Sequence, residues 1–180
     1  MALINFSSFE EEHIEIVYKW RRDESVSRFM LSDIDDDYNK HLDWNESILK
    51  DRSCKYWIIK ANNHPIGLIN MASIDNKSKK LTAGYYIGEA DYRFLGILPL
   101  IYIYNHIFIE MKFRKIYGEV VSYNSNILKI HEMHGYNKVG VYKDHVMKDN
   151  KYYDVVLVEL LSEKWLAIKK YNKYISSFPD

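Results

Sequence analysis

The stretch from Glu119 to Tyr136 constrains the fold more than any other part of this chain. A β-branched and aromatic run over 116–123 ends at Asn124, which is strand-like composition. A helical pattern follows, with apolar Ile127, Leu128 and Ile130. Asn124 is a favoured helix N-cap type. Gly135 stops the helix, because glycine tolerates the left-handed turn at a helix C-terminus. A new strand begins at Tyr136. Each of these residues is ordinary for a strand–helix–strand unit, and the information lies in their joint spacing. Counting from Asn124, an apolar pair falls at Ile127 and Leu128, a ring at His131, a carboxylate at Glu132 and a glycine–aromatic pair at Gly135 and Tyr136.

The rest of the chain reads as further elements of one mixed α/β domain spanning 1–180. A short strand is predicted over 3–6. Two helices follow, over 11–22 with Ile14, Ile16, Val17 and Trp20, and over 37–50 with His41, Leu42, Trp44 and Ile48, both at helical spacing. Between them, Ser32-Asp33-Ile34-Asp35-Asp36-Asp37 is acidic. It reads either as a metal-binding Asp-x-Asp element or as a solvated loop with an N-capping Asp, and it lacks the glycine of a calcium loop. No metal is expected. Strands over 55–60, 66–74 and 81–87 form an antiparallel meander, with a turn at Asn62-Asn63-His64-Pro65. A buried helix over 96–111, the strand 115–123, the helix 125–134 and strands over 136–142 and 151–160 come next. A C-terminal helix is expected over 162–175, with Trp165, Ile168 and Ile175 on one side. The strand–helix–strand units need crossover connections.

Composition narrows the function. Lys plus Arg and Asp plus Glu are each 25, giving no net charge, whereas a protein that tracks nucleic-acid phosphates is usually basic. Nucleic acid is therefore not an expected partner. The 47% hydrophobic content is enough for a real core. Cys54 is the only cysteine, which suits a reducing compartment. The start, 1–8, lacks a basic segment followed by a long apolar run, so no signal peptide is expected. The longest apolar stretch, 94–104, is interrupted by Gly96 and Pro99 and is about half of the roughly 20 residues that span a bilayer. A soluble, cytoplasmic protein with no membrane partner is expected.

The spacing of Asn124, Ile127, Leu128, His131, Glu132, Gly135 and Tyr136 resembles the closing motif of the GNAT superfamily of N-acetyltransferases, Asn-x-x-Ala-x-x-x-Tyr-Glu-x-x-Gly-Phe. The element order also resembles that fold, a mostly antiparallel mixed sheet flanked by helices. His131 stands where the family has Tyr, often its catalytic acid. The resemblance implies acetyl-CoA as cosubstrate, with no metal. The family's phosphate loop, Gln/Arg-x-x-Gly-x-Gly/Ala, is matched by Arg93 and Gly96. Leu98 departs, since a small residue is usual there, and Pro99 has no N–H. A pyrophosphate suits a glycine-led helix N-terminus, where unpaired N–H groups and the dipole favour anions. The resemblance further implies that the Tyr86 and Ile87 backbone and Asn124 contact the cofactor. The plain alternative for 84–87 is an aromatic strand packed on the core.

On the acceptor side, Trp20-Arg21-Arg22 and the run Asn39-Lys40-His41-Leu42-Asp43-Trp44 resemble bacterial nucleotide-sugar acetyltransferases. Their signatures are Trp/Phe-Arg-Asn and His-Leu-x-Phe. These enzymes acetylate the 4-amino group of a UDP-4-amino-4,6-dideoxy sugar in pseudaminic acid-type synthesis, which feeds flagellin glycosylation. That likeness implies Arg21, His41, Asn70 and Tyr85 as substrate contacts. Ala72-Ser73 stands where a Thr-Lys pair is usual. It also implies Glu119 as the base that accepts the amine proton and His131 as the acid or donor toward the leaving sulfur. Glu119 reads alternatively as a surface residue opposite Lys115, Arg21 as a charge near Asp23 or Glu24, and His41 and His131 as packing. Two other functions share this architecture: a ribosomal-protein or peptide N-terminal acetyltransferase, and a non-catalytic interaction module. A homodimer is compatible with each.

Overall fold

The structure, a computed structural model, describes residues 4–32 and 37–179. One sheet of seven strands runs in the order β1-β2-β3-β4-β5-β7-β6. The strands are β1 (Ile4–Ser8), β2 (Lys55–Ala61), β3 (His64–Asp75), β4 (Lys80–Ile87), β5 (Lys115–Val121), β6 (Asn137–Lys148) and β7 (Lys151–Leu161). All pairings are antiparallel except β4 with β5, which is parallel. The crossover between those two carries α4 (Ile97–Asn105), which continues into one π-helical turn (His106–Glu110). The expected mixed, mostly antiparallel sheet is thus present.

Side chains alternate across each strand, so the two faces can be read residue by residue. On one face Trp57, Ile59, Ile69, Met71, Leu81, Ile116 and Leu160 form the main core with Leu100, Ile103 and Tyr104 of α4 and Ile107 of the π-helical turn. Val120, Val156 and Val158 extend that face beneath α5 (Ser125–Met133), whose Ile127 and Leu128 cover them. On the opposite face Ile58 and Leu68 meet Val17 and Trp20 of α1 (Ile14–Arg22), with Trp44 and Ile48 of α3 (Tyr38–Lys50) at the margin. A short helix, α2 (Glu24–Ser27), follows α1, and Asp23 caps it by accepting from the Ser25 N–H. Asp37 caps α3 in the same way from Asn39. The rest of the acidic run lies outside the described residues.

Trp20 ties α1 to the end of β4. It is 2% exposed, and its indole N–H donates to Glu89 Oε1 at 2.8 Å. Gly88 makes this possible, because a Cβ there would sit 2.1 Å from Trp20 Cγ. The Gly88 N–H is meanwhile fixed to the Ile66 carbonyl at 2.8 Å, so the backbone is not free to retreat.

Two local expectations are corrected. The turn between β2 and β3 is confined to Asn62 and Asn63, at φ 51° and 66°. His64 and Pro65 already belong to β3, since two consecutive left-handed residues close a two-residue hairpin. The C-terminal helix is also far shorter than 162–175: α6 is Ser162–Leu166. The chain beyond it keeps one 3-10 turn (Lys169–Tyr171) and is held to the core by side chains. Asn105 Nδ2 donates to the Tyr171 and Tyr174 carbonyls, both at 2.8 Å. Trp57 Nε1 donates to the Pro179 carbonyl at 2.6 Å, and Phe178 stacks on Phe6. Trp165 is fully buried as expected, but Ile175 is exposed. Among the described residues no helix is long and apolar enough to cross a membrane.

Candidate active site

The parallel pairing of β4 with β5 covers only Lys80 to Thr82 against Lys115 to Tyr117. Past that point β4 runs on to Ile87 and β5 to Val121 without pairing each other. The two strands therefore splay, and the β4 edge facing β5 is unpaired there. The gap opens to both faces of the sheet. The α4 N-terminus and α5 flank it on the main-core face, and α1 and α3 flank the other.

On the α4 side, Gly96 is the N-cap of α4, so Ile97, Leu98 and Pro99 occupy its first three positions. The first N–H groups of a helix have no partner within it; proline removes one of these rather than a helical bond. Leu98 packs on the main core, so its side chain does not fill the space before the helix end. These features fit a bound pyrophosphate. Arg93 lies on the turn before Gly96. It contacts the Ser25 hydroxyl and stands 3.9 Å from Asp23 Oδ1. The Ser25 hydrogen bonds, and to a lesser extent Arg93, hold the Asp23 carboxyl below its ordinary pKa. Asn124 accepts from the Ile127 N–H at 3.4 Å as the cap of α5.

Tyr85, expected as a substrate contact, lies on the cofactor-loop side of β4. It packs on the main core, on the face away from α1 and α3. Its hydroxyl would meet a Cβ on Gly96 at 3.6 Å, which puts it beside the cofactor loop. Burial raises its pKa to about 12. Tyr86, whose backbone was the expected contribution, sends its side chain to the opposite face, against Trp20. The alternation of β4 carries the signal for this assignment, since Leu81, Ala83, Tyr85 and Ile87 all pack on the main core.

His131 stacks on Tyr136 with ring centroids 4.2 Å apart and planes 26° from parallel. Its Nδ1 is buried without a hydrogen-bond partner. Desolvation by burial, then the proximity of His134, lowers its pKa to about 4. The ring is therefore neutral at pH 7. It can offer an N–H to a developing negative charge, but it does not carry an imidazolium proton to transfer. This narrows the expected acid to a hydrogen-bond donor. His134 itself is fully buried among Tyr104, Trp165 and Tyr171.

On the opposite face, Arg21 lies flat over Trp44, with Cζ 3.8 Å from the ring centroid. Among the described residues no carboxylate pairs with it. Desolvation by burial lowers its pKa, which the nearby Tyr86 and Tyr56 oppose. Arg21 is thus a partly desolvated cation, stacked rather than neutralised, and not a surface charge beside Asp23. The Tyr86 hydroxyl is buried and unpartnered. Asn70 opposes Tyr56 in the β2–β3 register. His41, expected as a substrate contact, lies behind Trp44. It is 4% exposed, its Nε2 is 3.1 Å from the Ile14 carbonyl, and it stacks beneath Trp44. It supports the platform rather than forming it. Trp44, Tyr56 and the Tyr86 side chain are additions that the sequence pattern left unassigned; at Trp44 the hint is the spacing of three from His41.

Glu119 lies on β5 beyond the last pair with β4 and opposes Leu157. Its neighbours Gly118 and Val120 belong to the α5 face, so Glu119 faces the same side as Tyr86 and Asn70. It is exposed and has no partner among the described residues. Lys115, the expected competitor, pairs instead with Glu159. Among the described residues no cluster of His, Cys, Asp and Glu could hold a metal ion.

Comparison with known proteins identifies the family. The Acetyltransferase (GNAT) domain family matches residues 7–157. Acetyltransferase PseH of Campylobacter jejuni is 24% identical over 157 residues, covering 87% of this chain and 93% of that protein. The prophage-derived N-acetyltransferase YokL of Bacillus subtilis is 24% identical over 130 residues, covering 71% and 72%. The spermidine N-acetyltransferase of Vibrio cholerae, solved with CoA and spermine, superposes with a TM-score of 0.83 over 91% of this chain and 98% of that one, at 13% identity. The family match spans most of the chain, and the chain belongs to it: this is an N-acetyltransferase of the GNAT family.

Proposed function

We propose that the chain transfers the acetyl group of acetyl-CoA to the amino group of a UDP-linked 4-amino-4,6-dideoxy sugar, as in pseudaminic acid-type synthesis. The observation that carries this reading is the charge of the acceptor face. Arg21 is partly desolvated, held on Trp44 and without a described carboxylate, and a buried, unpartnered Tyr86 hydroxyl lies nearby. An isolated cation in such surroundings favours an anionic ligand. A nucleotide diphosphate supplies that anion, and Trp44 adds an aromatic surface. A polyamine acceptor, by contrast, would bring like charge to Arg21. The likeness to PseH over most of both chains supports the same choice.

Acetyl-CoA would supply the activated acetyl thioester. Gly96 and the first turn of α4 would hold its pyrophosphate, with Arg93 moving from Ser25 to join them. The unpaired edge of β4 at Tyr86 and Ile87, and Asn124, would hold the pantetheine arm. Glu119 accepts the proton of the attacking amine at its carboxylate. His131 offers an N–H toward the leaving sulfur, and because the ring stays neutral, solvent returns the proton to the thiolate.

Replacing Arg21 tests the acceptor assignment. Arg21→Ala removes one charge-assisted contact, worth about 1.5–3 kcal/mol, so UDP should bind about 10- to 150-fold more weakly. Titration calorimetry with UDP and separately with acetyl-CoA measures both sites. Acetyl-CoA affinity is expected to stay within about twofold of the parent, since Arg21 lies on the other face. Unchanged UDP affinity in Arg21→Ala would remove the nucleotide from this face.

A further inference from the structure

The end of α5 is built so that one residue is pressed onto another. His134 is the C-cap, and Gly135 follows it at φ +87°. The Tyr136 N–H returns to the His131 carbonyl at 3.0 Å, and the Gly135 N–H to the Glu132 carbonyl at 3.0 Å. These are the two bonds of a Schellman motif, in which the residue after the left-handed position packs on the residue three back from the cap. Here those two residues are Tyr136 and His131, and their rings stack at 4.2 Å.

His131 has no other directional restraint. Its Nδ1 is buried and unpartnered, whereas Nε2 is not among the buried, unsatisfied atoms. No hydrogen bond to another described residue fixes the ring plane. Tyr136 is fixed, because its hydroxyl donates to the Tyr104 hydroxyl at 3.0 Å. Tyr104 is itself fully buried, edge-on to Trp165. The chain of restraint thus runs from the core of α4, through two phenols, to the imidazole.

We propose that Tyr136 is a positioning residue for the acetyl transfer: its ring fixes the plane and tautomer of His131, so that Nε2–H alone is offered to the reacting sulfur. A buried N–H with no acceptor is rarer and costlier than a buried lone pair. With the ring held in this plane, the buried, unpartnered Nδ1 keeps the lone pair and the proton sits on the open nitrogen. The closing Gly135–Tyr136 pair is then more than a helix stop. Gly135 sets the backbone that delivers Tyr136, and Tyr136 sets the ring that does the donating. This inference rests on the role given to His131 above, and the two are separable by experiment.

The test compares Tyr136→Phe and Tyr136→Leu in the full chain, by steady-state kinetics and by nitrogen-15 NMR of the histidine rings. The parent should show His131 as a single Nε2–H tautomer. Tyr136→Phe loses the hydroxyl anchor but keeps the stacked ring, still delivered by the Gly135 turn, and should retain that signature and a kcat within about threefold of the parent. Tyr136→Leu removes the stacking face. It should mix the two tautomers and lower kcat by roughly tenfold or more, as expected when a reacting group loses its alignment, with the KM for acetyl-CoA within about twofold. If Tyr136→Leu leaves the His131 tautomer unchanged, the positioning role is wrong whatever happens to the rate. If the tautomer mixes and kcat does not move, Tyr136 does position the ring, and it is His131 that takes no part in the reaction.

Discussion

Glu119→Gln should lower kcat by roughly 10²–10⁴-fold, the usual contribution of a positioned general base, or about 2.7–5.4 kcal/mol of barrier. The substitution keeps the shape of the side chain and removes its ability to accept a proton. Three features single out this carboxylate. It stands on β5 just past the point where β4 and β5 stop pairing. It faces the side that carries Tyr86, Asn70 and Arg21. It has no described partner, because Lys115 pairs with Glu159 instead. Because it is exposed and unpaired, its loss should leave the melting temperature within about 2 °C of the parent, in line with ordinary surface substitutions. Initial rates at saturating cosubstrates and a thermal melt on the same sample check both halves. A kcat within threefold of the parent would show that the amine loses its proton elsewhere.

Gly88→Ala should be strongly destabilising. The new Cβ would lie 2.1 Å from Trp20 Cγ and 2.3 Å from Cδ1, well inside contact distance. Trp20 is almost fully buried and bonded to Glu89, and the Gly88 N–H is tied to Ile66, so neither side yields cheaply. Overpacking costs about 1–3 kcal/mol, and displacing a buried tryptophan about 3–5 kcal/mol. A loss near 3 kcal/mol lowers Tm by roughly 6–12 °C for a chain of this size. Gly118→Ala is the control: its Cβ would meet Val158 Cγ2 at an ordinary 3.8 Å, and stability should change by less than about 1 kcal/mol. The two melts should therefore separate clearly. A Gly88→Ala protein melting within 2 °C of the parent would mean that Trp20 is not held against this glycine. The same change should also weaken catalysis below Tm, because Trp20 links α1, which bears Arg21, to the turn that bears Arg93.

How far the chain could be read in advance depended on whether local chemistry or distant contacts decide a segment. The unit from Ile116 to Tyr136 was legible because its cap, stripe and stop are all local. The meander was legible from its apolar runs, and the hairpin at Asn62-Asn63 was off only at its end. The C-terminal segment departs from one continuous helix where tertiary contacts hold it: Asn105 and Trp57 donate to the carbonyls of Tyr171, Tyr174 and Pro179, contacts invisible in the local sequence. At the site, Tyr85 and Tyr86 exchange places because strand alternation sends neighbours to opposite faces. His41 was singled out for its chemistry, yet burial gives it to the support and Trp44 to the surface. Arg21 could be picked out from sequence, but not its lack of a carboxylate or its stacking on Trp44, since both depend on how α1 and α3 cross the sheet.

Acceptor preference tests the account most directly. Purified protein with acetyl-CoA would be offered either a UDP-4-amino-4,6-dideoxy sugar or spermidine, and the release of free thiol followed. The account predicts transfer to the UDP-sugar with a kcat/KM at least about tenfold above that for spermidine, the factor expected from one charge-assisted contact at Arg21. Transfer to spermidine alone, or a higher kcat/KM for it, would contradict the anionic acceptor and with it the role of Arg21 and Trp44.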